Sequence, residues 1–205
     1  MTIDLCGQWE IRKQGDTETL PASVPGCIHI DLLAAGKIDD PYYRDNEERQ
    51  MWIGETDWVY SRTFTVDQDL LNCERVLLSC EGLDTLGTIT INDTLIGKTN
   101  NQFRKWEFDV KSQLQAGENR IEICFDSTIS FIQAEQQERY LNLTGVGHHR
   151  IDGSNRIRKS QCNYGWDWGP RFVTSGIWRP VYLQAWDGAR IEGIRVVQDT
   201  MTDGA

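Results

Sequence analysis

From Trp58 onward the chain alternates apolar and polar residues with a period of two, a rhythm that only a half-buried strand satisfies. In "DWVYSRTFTV", Trp58, Tyr60, Phe64 and Val66 fall on one face, with Val59, Ser61, Thr63 and Thr65 opposite. "RVLLSCEG" supplies a second strand. "GTITINDTLIGKT" reads as two short strands joined around Asn92-Asp93, residue types that tolerate the positive φ of a tight hairpin turn. "FRKWEFDV" sets Arg104, Trp106, Phe108 and Val110 against Lys105, Glu107 and Asp109, and "AGENRIEICFDS" continues with Ile121, Ile123 and Phe125. "GIWRPVYLQAWD" predicts one more strand, with Pro180 at an edge or bulge because it cannot donate to a ladder. Strands separated by turn signals predict an all-β fold, an antiparallel sandwich of two sheets.

Three stretches break the rhythm. "VPGCIHIDLLAAGKI" predicts a short helix ending at Gly36. "DNEERQMW" offers an Asx cap followed by first-turn acids, Glu47 and Glu48, which suit the positive end of a helix dipole. "STISFIQAEQQERYLNL" is polar with helical spacing and predicts a third helix. It leads into "TGVGHHRIDGSN", whose glycines and asparagine mark a functional loop rather than a connector. With 205 residues, the chain is long enough to bury roughly 70% of the surface it exposes unfolded, so its core needs no staples.

Cysteine usage agrees. Cys6, Cys27, Cys73, Cys80, Cys124 and Cys162 are dispersed, with no C-x-x-C pair and no histidine at zinc-ligand spacing; they read as small core residues. No metal or other cofactor is expected. The net charge of −10 repels phosphate backbones, which excludes nucleic acid as a partner. No apolar run approaches the length that crosses a bilayer, and the start "MTIDLCGQWEIRKQG" has no signal-peptide core. The expectation is a soluble, reduced, cytoplasmic protein, for which the sequons at Asn92 and Asn142 are chance.

One short stretch, "QCNYGWDWGPRF" at residues 161–172, carries most of the chemistry. Alternation would place Trp166 and Trp168 together opposite Asp167, yet Gly165 before them and Gly169-Pro170 after them interrupt a ladder. A shaped loop results. Indole faces flanking a carboxylate suit a pyranose, whose C–H face packs on rings while its hydroxyls need acceptors. Trp166, Asp167 and Trp168 are therefore the candidate substrate-binding residues. Eight tryptophans exceed the needs of the core; Trp9, Trp52, Trp58, Trp106 and Trp178, lying in strand or helix patterns, are assigned to core or interdomain packing.

In chain order, "GQWE", "VPGCIHIDLLAAGKIDDPYYRDNE", "WIGETDWVYSRTF", "EGLDTLGTITIN", "NQFRKWEFDV", "AGENRIEI", "RIRKSQCNYGWDWGPR" and "GIWRPVYL" resemble the amino-terminal domain of β-mannosidases of glycoside hydrolase family two. The GWDWGP run and the NE before the W..DW.Y strand point to mannosidases, whereas "GIWRPVYL" is similar to β-galactosidases and β-glucuronidases as well. The resemblance implies a galactose-binding-domain-like jelly roll over residues 1–188, with residues 189–205 beginning an immunoglobulin-like domain and a (β/α)₈ barrel beyond. It also implies retaining hydrolysis of terminal non-reducing β-D-mannose by two barrel glutamates about 5–5.5 Å apart. Those glutamates lie past residue 205, so no residue of this chain is catalytic. Trp166, Asp167 and Trp168 would line the mannose subsite at the barrel mouth, and the chain's partners would be the downstream domains and a β-mannoside.

Other residues carry weaker cases. Arg158 and Lys159 are expected to pair with acids of the barrel. His148 and His149 point apart in an extended chain and lack a third ligand, so they read as loop polarity. "GVGHHR" lacks the third glycine of a phosphate loop. Glu81 and Asp84, a conceivable hydrolytic pair, lack any feature that would split their pKa values. Three functions compete: a noncatalytic domain of a β-mannosidase or a related β-galactosidase or β-glucuronidase, a free-standing carbohydrate-binding module, and a purely structural interaction domain. The last requires the WDW loop to be sealed in the domain's own core.

Overall fold

A computed structural model describes residues 1–138 and 151–199. The chain enters through β1 (Thr2–Asp4), β2 (Gly7–Lys13) and β3 (Leu20–Val24). Two short helices come next, α1 (Ile28–Ala34) and α2 (Asn46–Arg49). After β4 (Trp58–Val66) and α3 (Gln68–Asn72) come β5 (Arg75–Cys80), β6 (Leu83–Asp84), β7 (Leu86–Ile91), β8 (Thr94–Lys98), β9 (Trp106–Asp109) and β10 (Gly117–Asp126). Then α4 (Thr128–Glu138), β11 (Gly176–Ile177) and β12 (Val181–Trp186) complete the described elements.

Two antiparallel sheets face each other. One runs β3-β2-β4-β10-β7-β8 and the other β1-β12-β5-β9, with β6 and β11 forming a separate two-stranded ribbon. This is the two-sheet antiparallel sandwich expected from the strand rhythm, and the jelly roll that the resemblance implies. Its core follows the register: Ile11, Tyr60, Ile123 and Ile89 lie side by side across four strands, all fully buried. Val76, Leu78, Val181 and Leu183 close it from the second sheet. Each such side chain contributes about 1.5–3 kcal/mol when removed from water.

The hairpin expected at Asn92-Asp93 forms, with φ of 50° and 62° at the two residues. Asn92 Nδ2 donates to Gln113 O at 2.8 Å and to Asn119 Oδ1 at 2.9 Å, so its amide belongs to an internal network. Between Ile89 and Thr90 the β7–β8 pairing slips register. β3, at the opposite edge, carries Pro21.

The structure revises several expectations. "GIWRPVYLQAWD" is two strands, since Pro180 breaks the chain between β11 and β12. Asp45 makes no side-chain cap on α2; its carboxylate instead accepts from Arg49 at 2.8 Å. Only Cys73 and Cys80 are buried, while Cys162 is exposed and the others are intermediate, because dispersed positions on alternating strands need not all face inward. α4 forms as expected from Thr128, and the continuation of that stretch past Glu138, with Asn142, His148 and His149, lies outside the described residues. Beyond β12 the described chain joins neither sheet, and Ile191, Ile194, Val196 and Val197 are exposed. Among the described residues no helix is long and apolar enough to cross a membrane.

One glycine is required by its surroundings. At Gly176, φ is +140°, and an added Cβ would lie 2.9 Å from the Tyr60 hydroxyl and 3.2 Å from Cys27 Cα. The hydroxyl of Tyr60 donates to Asp31 Oδ2 at 2.8 Å, and Asp31 Oδ1 accepts from Ser23 N at 2.9 Å. Burial raises the Asp31 carboxyl above its usual range. Through this buried hydrogen-bond chain α1 is tied to the middle of β4 and to β3.

Candidate functional site

The glycines around the two indoles shape the loop as anticipated. Residues 161–164 make one 3-10 turn, and Gly165, at φ 106° and ψ 154°, sends the chain outward. Trp166 and Gly169 then face each other in an isolated antiparallel bridge, which leaves Asp167 and Trp168 at the tip. Trp166 is half-buried and Asp167 exposed, while Trp168 is 84% exposed. The two indoles meet edge to face, with centroids 5.9 Å apart. An open cleft of about 490 Å³ runs beside them, lined also by Tyr42, Asn163 and Phe172. The carboxylate of Asp167 has no hydrogen-bond partner among the described residues, so it is free to accept from a ligand.

Of the three residues predicted for the site, Asp167 and Trp168 are exposed at the tip and Trp166 is half-buried, and the two indoles, not Asp167, line the cleft. Trp168 does not cap the sandwich, as a purely structural loop would require.

The loop stands on a tied base. Asn163 Nδ2 donates to Phe172 O at 3.1 Å across the neck. Phe172 meets Tyr42 edge-on with centroids 5.1 Å apart and His29 of α1 at 5.6 Å. The carboxylate of Glu47 in α2 accepts from the backbone N–H of Arg171. Sequence reasoning assigned Glu47 to a helix dipole and gave Asn163, Tyr42 and Phe172 no role. The partners of Glu47 and Tyr42 are distant along the chain, so although the NE pair of the resemblance includes Glu47, no local pattern shows these contacts.

Beneath the loop lies an ion pair that overturns the expectation for Lys159. Rather than reaching out to another domain, its side chain is 0% exposed and bonds both carboxylate oxygens of Asp84, itself 3% exposed. The ammonium also donates to Thr174 O at 3.0 Å and Thr174 Oγ1 at 3.1 Å, and Thr174 Oγ1 donates to Asp84 Oδ2 at 2.7 Å. Burial pushes the Lys159 ammonium below its ordinary pKa, against the opposing pull of Asp84. The cluster joins β6 to the segment that returns from the loop. Arg158, by contrast, is exposed. Glu81 lies apart, accepting from the Tyr182 hydroxyl, so it forms no carboxylate pair with the internally neutralised Asp84.

His29, 8% exposed, lies between the loop base and this cluster. Burial, assisted by the charge of Lys159, lowers its imidazole from 6.5 to about 4. The unfolded chain therefore takes up the proton first as pH falls. Stability from the neutral ring is complete above pH 6.5 and is lost toward pH 4, by about 3 kcal/mol at 1.36 kcal/mol per unit. Urea denaturation across this window should show that the wild type loses more stability than His29→Leu does. Asp31 titrates nearby with the opposite sign and cancels in the difference. Equal losses in both proteins would remove His29 as the acid-sensitive group.

A family described as "Glycosyl hydrolase 2 galactose-binding domain-like" matches residues 9–179. A β-mannosidase of Capra hircus is 38% identical over 192 residues, covering 91% of this chain and 22% of its own length. Among solved structures, a β-D-mannosidase from Dictyoglomus thermophilum superposes with a TM-score of 0.92 at 37% identity, over 98% of this chain and 24% of that one. An exo-chitosanase from Amycolatopsis orientalis shares the fold alone, at TM-score 0.66 and 17% identity, over 90% of this chain and 20% of its own. The chain thus spans about a fifth of the length of the curated relative.

Proposed function

This chain belongs to the glycosyl hydrolase 2 galactose-binding domain-like family, and from that membership we propose that it is the amino-terminal, noncatalytic domain of a retaining β-mannosidase. Its WDW loop completes the substrate pocket of a barrel carried elsewhere in the full-length protein. The observation that carries this is the outward tip: a largely bare indole lines an open cleft, next in the chain to a free, exposed carboxylate, on a base tied down by hydrogen bonds. Such a lip suits a sugar held between two bodies. Asp167 would accept hydroxyl protons of the terminal mannose, and Trp166 and Trp168 would wall the subsite.

In this proposal residues 1–188 form the sandwich and residues 189–205 begin an immunoglobulin-like domain. The acid/base and nucleophilic glutamates come from the barrel, where a short separation allows double displacement. The full-length protein would act in the cytoplasm on terminal non-reducing β-D-mannose residues.

The test compares two proteins. Full-length enzyme should hydrolyse an aryl β-mannoside and leave the corresponding β-galactoside and β-glucuronide nearly untouched. The 205 residues alone should hydrolyse none of them, and calorimetric titration with mannose or mannobiose should show no saturable binding. Saturable binding by the isolated chain would make it a self-sufficient carbohydrate module, and a full-length preference for galactoside or glucuronide would move it to another branch of the family.

A further inference from the structure

We infer that Glu47 is the positioning residue of the WDW loop, holding it from outside while Asn163 ties its neck. This deepens the function proposed above and rests on it for its catalytic consequence.

Between Gly165 and Arg171 the loop has little of its own to fix it. The Trp166–Gly169 bridge and the edge contact of the two indoles are internal to the tip and move with it. Orientation relative to the sandwich has to come from the two ends. At the neck, Asn163 Nδ2 reaches Phe172 O at 3.1 Å, but both of those residues belong to the loop's own stem. The bond to Glu47 is of another kind, since it crosses to an element 124 positions away and holds the loop's backbone, whereas the other crossing ties, Arg171 Nε to Met51 Sδ at 3.0 Å and the Phe172 ring against Tyr42 and His29, act through side chains. It captures the N–H of Arg171, directly after Pro170, a residue with no N–H to offer.

Glu47 can serve as an anchor because α2 is itself immobilised. Asn46 and Gln50, one helical turn apart, are both buried. Asn46 Nδ2 donates to Asp40 O at 2.8 Å and Gln50 Nε2 donates to Asp39 O at 2.9 Å. Residues four apart share a helix face, so these two fasten α2 to the preceding strap. Glu47, about 100° further round, is then directed at the loop. A charged acceptor on a backbone N–H is among the stronger hydrogen bonds. A site held within about half an ångström of its productive geometry requires such support behind the residues that touch the ligand.

The experiment uses the full-length protein carrying Glu47→Ala or Glu47→Gln. Hydrogen exchange of the 163–172 segment and steady-state kinetics on an aryl β-mannoside are measured together. Glutamine keeps an oxygen acceptor of the same reach, so exchange and kcat/KM should stay near wild type. Alanine should accelerate exchange in this segment and lower kcat/KM by about 10- to 100-fold, the range that a misplaced positioning group produces. Unchanged exchange in Glu47→Ala would overturn the inference, as would equal loosening in both variants. Loosened exchange with normal kinetics in Glu47→Ala alone would leave Glu47 as the loop's anchor and remove the loop from the substrate pocket instead.

Discussion

Full-length enzyme carrying Asp167→Ala is expected to lose about 10²- to 10³-fold in kcat/KM on an aryl β-mannoside, with the fold intact. The carboxylate is at the loop tip, exposed and without a partner among the described residues. Its removal therefore disturbs nothing within the sandwich, and substitutions at such surfaces usually stay within about 0.5 kcal/mol of neutral. The loss must then come from the substrate. Hydroxyls that donate to a carboxylate inside a closed pocket make charged hydrogen bonds, and in glycoside hydrolysis those near the reacting carbon strengthen in the transition state. At 1.36 kcal/mol per decade the expected loss is about 3–4 kcal/mol. Asp167→Asn keeps one acceptor oxygen and should fall in between. The measurements are steady-state kinetics and a thermal melt on the same samples. Kinetics close to normal in Asp167→Ala would sever the loop from the reaction.

The second large effect concerns folding. Lys159→Met is expected to destabilise this domain by about 3–5 kcal/mol, because it strands the Asp84 carboxylate in a dry interior. The pair is hidden, 0% and 3% exposed, and the three ammonium protons are shared among Asp84, Thr174 O and Thr174 Oγ1. Without the ammonium, Asp84 keeps, among the described residues, the hydroxyls of Thr85 and Thr174. Combining Lys159→Met with Asp84→Leu removes the stranded charge and should recover most of the loss, since a buried ion pair exchanged for apolar groups is often close to neutral. Urea midpoints at constant m-value measure both steps. A double variant as unstable as the single one would mean that the charge balance is not what the interior depends on.

What could be read from the sequence was what is local. The Trp58–Val66 strand, the Asn92-Asp93 turn and the α1 helix ending near Gly36 all declare themselves within a few residues, through alternation, left-handed backbone or a stop signal. The outward WDW loop was legible for the same reason, as glycine and proline around the indoles forbid a regular ladder. The strands before Trp58 were not read: β1 has only three residues, β2 alternates over a single short run, and Pro21 within five residues blurs β3. Nor were the partners of Lys159 and Glu47. Asp84 is 75 positions from Lys159, and Arg171 is 124 from Glu47. A long polar side chain next to a motif looks the same in one dimension whether it ends in solvent, in a neighbouring domain or beneath the loop. Only the closure of the sandwich, with β6 paired to β11 just beside that cluster, selects the last.

The sheet margins have a bearing on how the protein behaves when concentrated. Unpaired strand flanks are templates for runaway self-association, which proteins blunt with proline, lysine, short lengths and bulges. β3 carries Pro21, and β8 ends at Lys98 beyond a register slip, while the second sheet is bordered by β1 and β9, which are only three and four residues long. Each flank thus bears one of the features that blunt edge-to-edge pairing with a second copy, on a domain whose loop tip carries a bare indole.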